Sequence, residues 1–143
     1  MYEAGLSGHK AQKISVKLEI DTNPPQGAKF SVKIVNKYFP LSFLVYEPSF
    51  LLAGKMHAVL TRRYSKGRDF YDIFWYLSRM QDIEPDITFL KNALKQTGWD
   101  QAMPAEDNWR EYLYKVVEGV HWDTVHKDVE SFLERPADMN VFT

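Results

Sequence analysis

The sequence predicts an α+β fold with about three N-terminal strands followed by about five helices. Two observations predict it. Residues 14–21, "ISVKLEID", alternate apolar and polar side chains, the period of a strand with one buried face. After Glu47 the apolar residues recur instead at spacings of three and four, and they continue to do so to the end. Strands and helices are thus segregated along the chain, which is the order of an α+β domain and not of a βαβ repeat.

The elements follow in order. Ile14, Val16, Leu18 and Ile20 form the expected buried face of the first strand, with Ser15, Lys17, Glu19 and Asp21 on the other. "TNPPQGA" ends it, because two prolines and a glycine cannot continue a ladder. "FSVKIVNKYF" and "LSFLVYE" read as the second and third strands, with Pro40 marking the break. Pro48 and Ser49 open the first helix, which carries Leu51, Leu52, Lys55, Met56, Val59, Arg62 and Arg63. Gly67 interrupts, and Asp69 caps or charges the first turn of a helix running through Leu77. Asp86 precedes a third helix that ends at Gly98. Pro104, Glu106 and Asp107 open a fourth, carrying Trp109, Leu113, Val116, Val117 and Val120. The fifth begins near Asp123 and carries Val125, Val129, Phe132 and Leu133 before Pro136.

Length and composition narrow the function. The 143 residues make one domain, with 1–47 forming the sheet and 48–143 the helical part. The absence of cysteine excludes disulfides and thiolate metal sites. Eighteen basic residues against nineteen acidic ones remove the case for a globally basic nucleic-acid binder. No apolar run is long enough to span a bilayer, and the start, "MYEAGLSGHKAQK", lacks the apolar core of a secretory signal. A cytoplasmic protein is expected.

Two groups of residues could carry chemistry. Lys17, Glu19 and Asp21 share one strand face; such a row serves equally as a solvated face or as a source of a carboxylate for a divalent metal. Lys55 and Arg62 lie two turns apart on one helix face, with Arg63 adjacent and Arg68 beyond the loop. Lysine offers polyphosphate a point charge and arginine a bidentate fork, while Asp69 and Asp72 could simply neutralise these bases as surface ion pairs. His9, His57, His121 and His126 show no metal-ligand spacing. Trp75, Trp99, Trp109 and Trp122 are expected as core fillers, and Phe70, Tyr71, Phe74, Trp75 and Leu77 as helix-packing residues.

The segments "KLEIDTNPP", "SFLLAGKMHAVLTRRYSKGRDFYDIFWYLS" and "HKDVESFL" together resemble the AbiEii/AbiGii toxin family of nucleotidyltransferases, across roughly residues 14 to 134. The resemblance implies a partial nucleotidyltransferase-like fold and transfer of a nucleotide from an NTP, with magnesium, to an acceptor such as tRNA. It also implies a role in type IV toxin–antitoxin or phage-defence systems, with a cognate antitoxin as partner. Under it, Glu19 is the third metal-site carboxylate, with Asp21 the alternative on the same face. Lys55 contacts triphosphate, Arg68 binds phosphate, and Asp69 and Asp72 orient it. Lys17, Arg62 and Arg63 fall on the substrate side.

One departure stands against these matches. Proteins of this fold carry an Asp-x-Asp pair after a Gly-Gly or Gly-Ser turn, upstream of the third carboxylate. Here "LSGHKAQK" holds Ser7 and Gly8 with no acidic pair behind them. The expectation is therefore a C-terminal portion of the enzyme, catalytically silent alone, with magnesium bound weakly or not at all. An N-terminal segment of a split enzyme would complete it, and a homodimer through "KISVKLEID" would cover an open sheet edge. The alternative is a non-catalytic remnant that binds NTP or RNA, or contacts the antitoxin.

Overall fold

The computed structural model describes residues 17–64 and 66–133, together with Gly8 and Met139. Two strands, β1 (Phe30–Asn36) and β2 (Pro40–Tyr46), precede five helices: α1 (Pro48–Thr61), α2 (Gly67–Arg79), α3 (Ile87–Gln96), α4 (Trp109–Glu118) and α5 (Trp122–Glu130). The α+β order stands as predicted. The strand count differs, because β1 and β2 form a two-stranded antiparallel sheet and no third strand occurs among the described residues.

The difference concerns "ISVKLEID". Residues 14–16 lie outside the described residues, and 17–21 join no ladder and form no helix. Leu18 and Ile20, expected in the core, are 84% and 83% exposed. A strand persists only where a neighbour accepts its backbone groups, and this one is led away from the sheet. Gln96 donates to the Asn23 carbonyl at 2.6 Å and Asn92 to the Gln26 carbonyl at 3.0 Å, so the Pro24–Pro25 turn is fastened to α3.

The hairpin pairs Phe30 with Tyr46 and runs in unbroken register to Asn36 opposite Pro40. Pro40, read from sequence as a break, is the first residue of β2. The Glu47 amide bonds the Lys29 carbonyl at 3.1 Å, and alternation along the ladder then makes Asn36–Pro40 a non-hydrogen-bonded pair. Proline's missing N–H costs the hairpin nothing there.

α1 lies at the centre and packs against α2, α3 and α4, while α2 packs on α5. Pro48 sits at its first turn, as predicted. Its buried side chains, Phe50, Leu52, Ala53, Met56 and Val59, meet Phe70 and Ile73 of α2, Leu90 and Leu94 of α3, and Trp109 and Leu113 of α4. The sheet joins this core at one end only, through Tyr46, whose ring lies 4.6 Å from Phe30 and 6.2 Å from Phe89.

Helix ends follow the sequence where a local signal exists. Asp86 accepts from the Phe89 amide at 2.8 Å as the N-cap of α3. Gly98, at φ +76°, closes that helix with paired bonds from its own amide to Lys95 and from Trp99 to Leu94. α4 starts later than its acidic run implied, because Asn108 turns back to bond the Ala105 amide. α5 stops at Glu130, leaving Phe132 outside the helix and exposed. Trp75, Trp122 and Leu77 are also more exposed than core fillers should be; among the tryptophans only Trp109 is fully buried. Leu77 and Trp122 line an open groove together with Phe70 and Leu113.

Candidate functional site

The side chains that converge come from α1 and α2. Lys55 stands midway along α1, and Arg62 is the residue that terminates it. α2 begins five residues later and returns against α1, so Asp69, in its first turn, faces both. The Lys55 ammonium lies 3.0 Å from Asp69 Oδ1 and 2.6 Å from Asp72 Oδ2. The Arg62 guanidinium bonds the other oxygen of Asp69. Asp69 is only 4% exposed, and no other charged residue among those described is so buried.

Of the two roles expected for Asp69, it does not cap α2 but does place its charge in the first turn. Its carboxylate serves two cations, while the amide of Gly67 at the start of α2 is satisfied from another element. Asp128 of α5 accepts from it at 2.6 Å. Gly67 permits that approach: a Cβ there would lie 2.4 Å from the Val125 carbonyl oxygen. Asp128 belongs to the segment "HKDVESFL", yet nothing in a separation of 61 residues announces this bond.

The cluster borders a cleft of about 520 Å³ between α1, α3 and the turn before β1. Lys55, Arg62 and Asp69 stand on its wall with Gly54, His57 and Phe89, and Asp21 and Asn23 approach from the turn. Gly54 is a helix-interior glycine whose added Cβ would meet nothing within 4 Å. Packing does not demand it, and its lack of a side chain leaves the cleft open beside Lys55. His57 Nε2 is 3.0 Å from the Thr97 hydroxyl, which itself donates to the Ala93 and Leu94 carbonyls.

Electrostatics follow from this geometry. Burial works to lower the Lys55 pKa, but Asp72 and Asp69 outweigh it and hold the ammonium above its ordinary value. Burial and then the charge of Arg62 push His57 below its ordinary value.

The other residues singled out from sequence are not gathered here. Glu19 pairs with Lys17 on the exposed segment outside the cleft, whereas Asp21, expected on the same strand face, lies at the cleft and bonds the Asn23 amide at 2.9 Å. Arg63 is exposed. Arg68 turns toward α5, with its guanidinium 5.3 Å from the Phe132 ring centre, and does not line the cleft. Among the described residues no three acidic or histidine side chains converge on a metal position. Asp69, Asp72 and Glu19 already spend oxygens on cations, so this donor set does not fit a magnesium cage.

No described helix is long and apolar enough to cross a membrane. Neither a curated protein nor a solved structure matches the chain. A family model does, over residues 1–138, under the description of nucleotidyl transferase AbiEii toxin, type IV toxin–antitoxin system. That match spans the hairpin, all five helices and the Lys55–Arg62–Asp69 cluster, and the chain therefore belongs to the AbiEii nucleotidyl transferase toxins of type IV toxin–antitoxin systems.

Proposed function

We propose that the cleft between α1 and α3 is the nucleotide side of a nucleotidyltransferase toxin's active site. Transfer would join an acceptor oxygen, such as the terminal hydroxyl of a tRNA, to the α-phosphorus of an NTP. The bond from that phosphorus to pyrophosphate breaks, pyrophosphate leaves with the electron pair, and the hydroxyl proton passes to water. The observation that carries this reading is the placement of Lys55 and Arg62 around the buried Asp69 carboxylate on the wall of an open cleft.

In this reading Lys55 and Arg62 contact the triphosphate, Asp69 and Asp72 fix their orientation, and Gly54 leaves room for the nucleotide against the helix. Asp21 serves from the turn. Glu19, Lys17, Arg63 and Arg68 belong to the outer, acceptor-facing side. The chain works in the cytoplasm, in phage defence, and an antitoxin restrains it.

Magnesium supplies charge neutralisation of the phosphates when bound, and we assign this chain alone only a weak hold on it. Because the described carboxylates at the cleft are engaged by Lys55 and Arg62, the described residues by themselves are catalytically silent until further carboxylates complete the site. A second reading follows from the same charge pairing: a non-catalytic module that binds NTP, RNA or the antitoxin.

Calorimetric titration with each of the four NTPs, with and without magnesium, tests the assignment. Binding that is lost in Lys55→Ala and weakened in Arg62→Ala supports the cleft as the nucleotide site. Absence of heat with all four, or binding indifferent to both substitutions, refutes it. Transfer of labelled nucleotide by this chain alone would refute the silent form.

A further inference from the structure

The hairpin is an open sheet. Tyr46 ties one end to the core, and beyond it both faces carry exposed apolar side chains, among them Val32, Ile34 and Leu44 on one face and Val35, Leu41 and Phe43 on the other. Between Phe30 and Leu44 nine large apolar residues are exposed. Their exposed area is on the order of 1,000 Å², more than the largest patch of a typical monomer and comparable to one partner's share of a stable interface.

Which backbone groups are free can be read from the register. The Glu47–Lys29 bond makes Ser31–Val45, Lys33–Phe43 and Val35–Leu41 the hydrogen-bonded pairs. Val32 and Ile34 therefore turn their N–H and C=O groups away from β2, toward the outer edge of β1. That edge offers a full template for one more strand.

The chain carries a segment suited to that template. Residues 17–21 form no helix and join no ladder, and they leave Leu18 and Ile20 exposed on alternate positions from Glu19 and Asp21, the pattern of a strand without a partner. The charges are complementary. Residues 22–46 contain Lys29, Lys33 and Lys37 and no acid, while 17–21 contain Glu19 and Asp21 against the single base Lys17. The segment is kept off its own sheet because the turn that follows is fastened to α3 through Asn23 and Gln26.

We propose that two copies of this chain associate by reciprocal strand addition, residues 17–21 of each lying antiparallel on the outer edge of β1 of the other. Ile20 then stands opposite Val32 and Leu18 opposite Ile34, both hydrogen-bonded pairs that use the free groups of β1. Glu19 falls opposite Lys33 in the closer, non-hydrogen-bonded position, where opposite charges attract most. The arrangement is isologous and closes on itself as a dimer. Its test reads association and not nucleotide binding, although Asp21 also borders the cleft.

Sedimentation velocity on the full chain tests it across the micromolar range. A mass twice the monomer's 16.7 kDa is expected. Glu19→Lys and Lys33→Glu should each weaken association roughly tenfold, and the two together should restore it to within about threefold. Val32→Pro removes an outward N–H that the hairpin does not use, so it should abolish the dimer while leaving the helical circular dichroism unchanged. A monomer at every concentration overturns the proposal. So does a dimer that ignores both charge reversals, or one that the double reversal fails to restore; the exposed charge positions decide the matter even if the proline variant does not fold.

Discussion

Gly67→Ala is the substitution for which the structure gives the sharpest expectation. The new Cβ would stand 2.4 Å from the Val125 carbonyl oxygen and 3.0 Å from both the Asp128 Cβ and the Val129 Cγ2. Two of these neighbours are backbone or close to it, so no flexible side-chain tip can move aside. Reaching ordinary contact requires α2 and α5 to part by about 1 Å, which costs roughly 1–3 kcal/mol as overpacking. The same movement stretches the bond from the Gly67 amide to the Asp128 carboxylate, a charge-assisted bond worth about 1.5–3 kcal/mol. Against this, alanine loses less chain entropy than glycine, a gain of about 0.4–1 kcal/mol. The net is a loss centred near 3 kcal/mol, or roughly 10 °C in Tm for a domain of this size. Urea denaturation followed by tryptophan fluorescence measures it, with Gly119→Ala as the control. At Gly119 the nearest atom to an added Cβ is 3.6 Å away and φ is −88°, so that variant should be unchanged or about 0.5 kcal/mol more stable. Equal effects from the two substitutions would refute the close α2–α5 approach.

Further outcomes follow from other positions. Gly54→Ala should raise stability by about 0.5–1 kcal/mol, because the helix interior gains a better former, while weakening nucleotide binding in the cleft. Thermal melts and titration read the two effects separately, and a destabilised Gly54→Ala would contradict the open wall. Because His57 is held below its ordinary value of 6.5, its contribution is complete above that pH and is lost as pH falls through the folded value. Melting temperature should therefore drop between neutral pH and pH 5 more in the native chain than in His57→Gln. For Lys55 the sign is reversed: its contribution is present below its ordinary 10.5 and is lost as pH rises through the higher folded value, so Lys55→Met should flatten the alkaline limb of the Tm profile. Trp109 buries its indole with Nε1 unbonded, so Trp109→Ala should cost about 3–5 kcal/mol but Trp109→Phe less than about 1.5 kcal/mol, since it also removes an orphaned donor. A larger loss in the phenylalanine variant would mean that the N–H is satisfied.

What the sequence disclosed depended on how local each signal was. Pro48, Asp86 and Gly98 mark helix ends through bonds made within a few residues, and those ends were legible. The α1 face that carries Lys55 and Arg62 was legible too, because helical spacing alone places the two together. The depth of Asp69 was not, since its burial depends on α2 folding back along α1. Nor was the loss of the ladder at residues 17–21, where the alternating period meets no neighbour to pair with among the described residues: alternation records which face a strand would bury and says nothing about whether a partner is in place. Asp128 at the amide of Gly67 illustrates the limit most clearly, because the acceptor for an orphan donor can come from anywhere that packing delivers it.

The charge arithmetic of the cleft decides what kind of ligand site it can be. Lys55 and Arg62 bring two positive charges, and Asp69 and Asp72 two negative ones, so the four sum to zero. A phosphate approaching them meets aspartates that already hold both cations. Asp69, almost wholly buried, cannot exchange its partners for water without a large desolvation cost. Arg62 and Lys55 are less confined and keep donors free on their solvent side, the guanidinium having five and the ammonium three. The aspartates thus act as fixed anchors that aim the cations into the cleft at the expense of net attraction. Nucleotide binding by this chain should accordingly be weak, resting on the free donors of Lys55 and Arg62 and not on net charge. If Asp72→Asn, which leaves Asp69 in place but removes one negative charge, fails to strengthen NTP binding in the absence of magnesium, charge cancellation is not what limits the site.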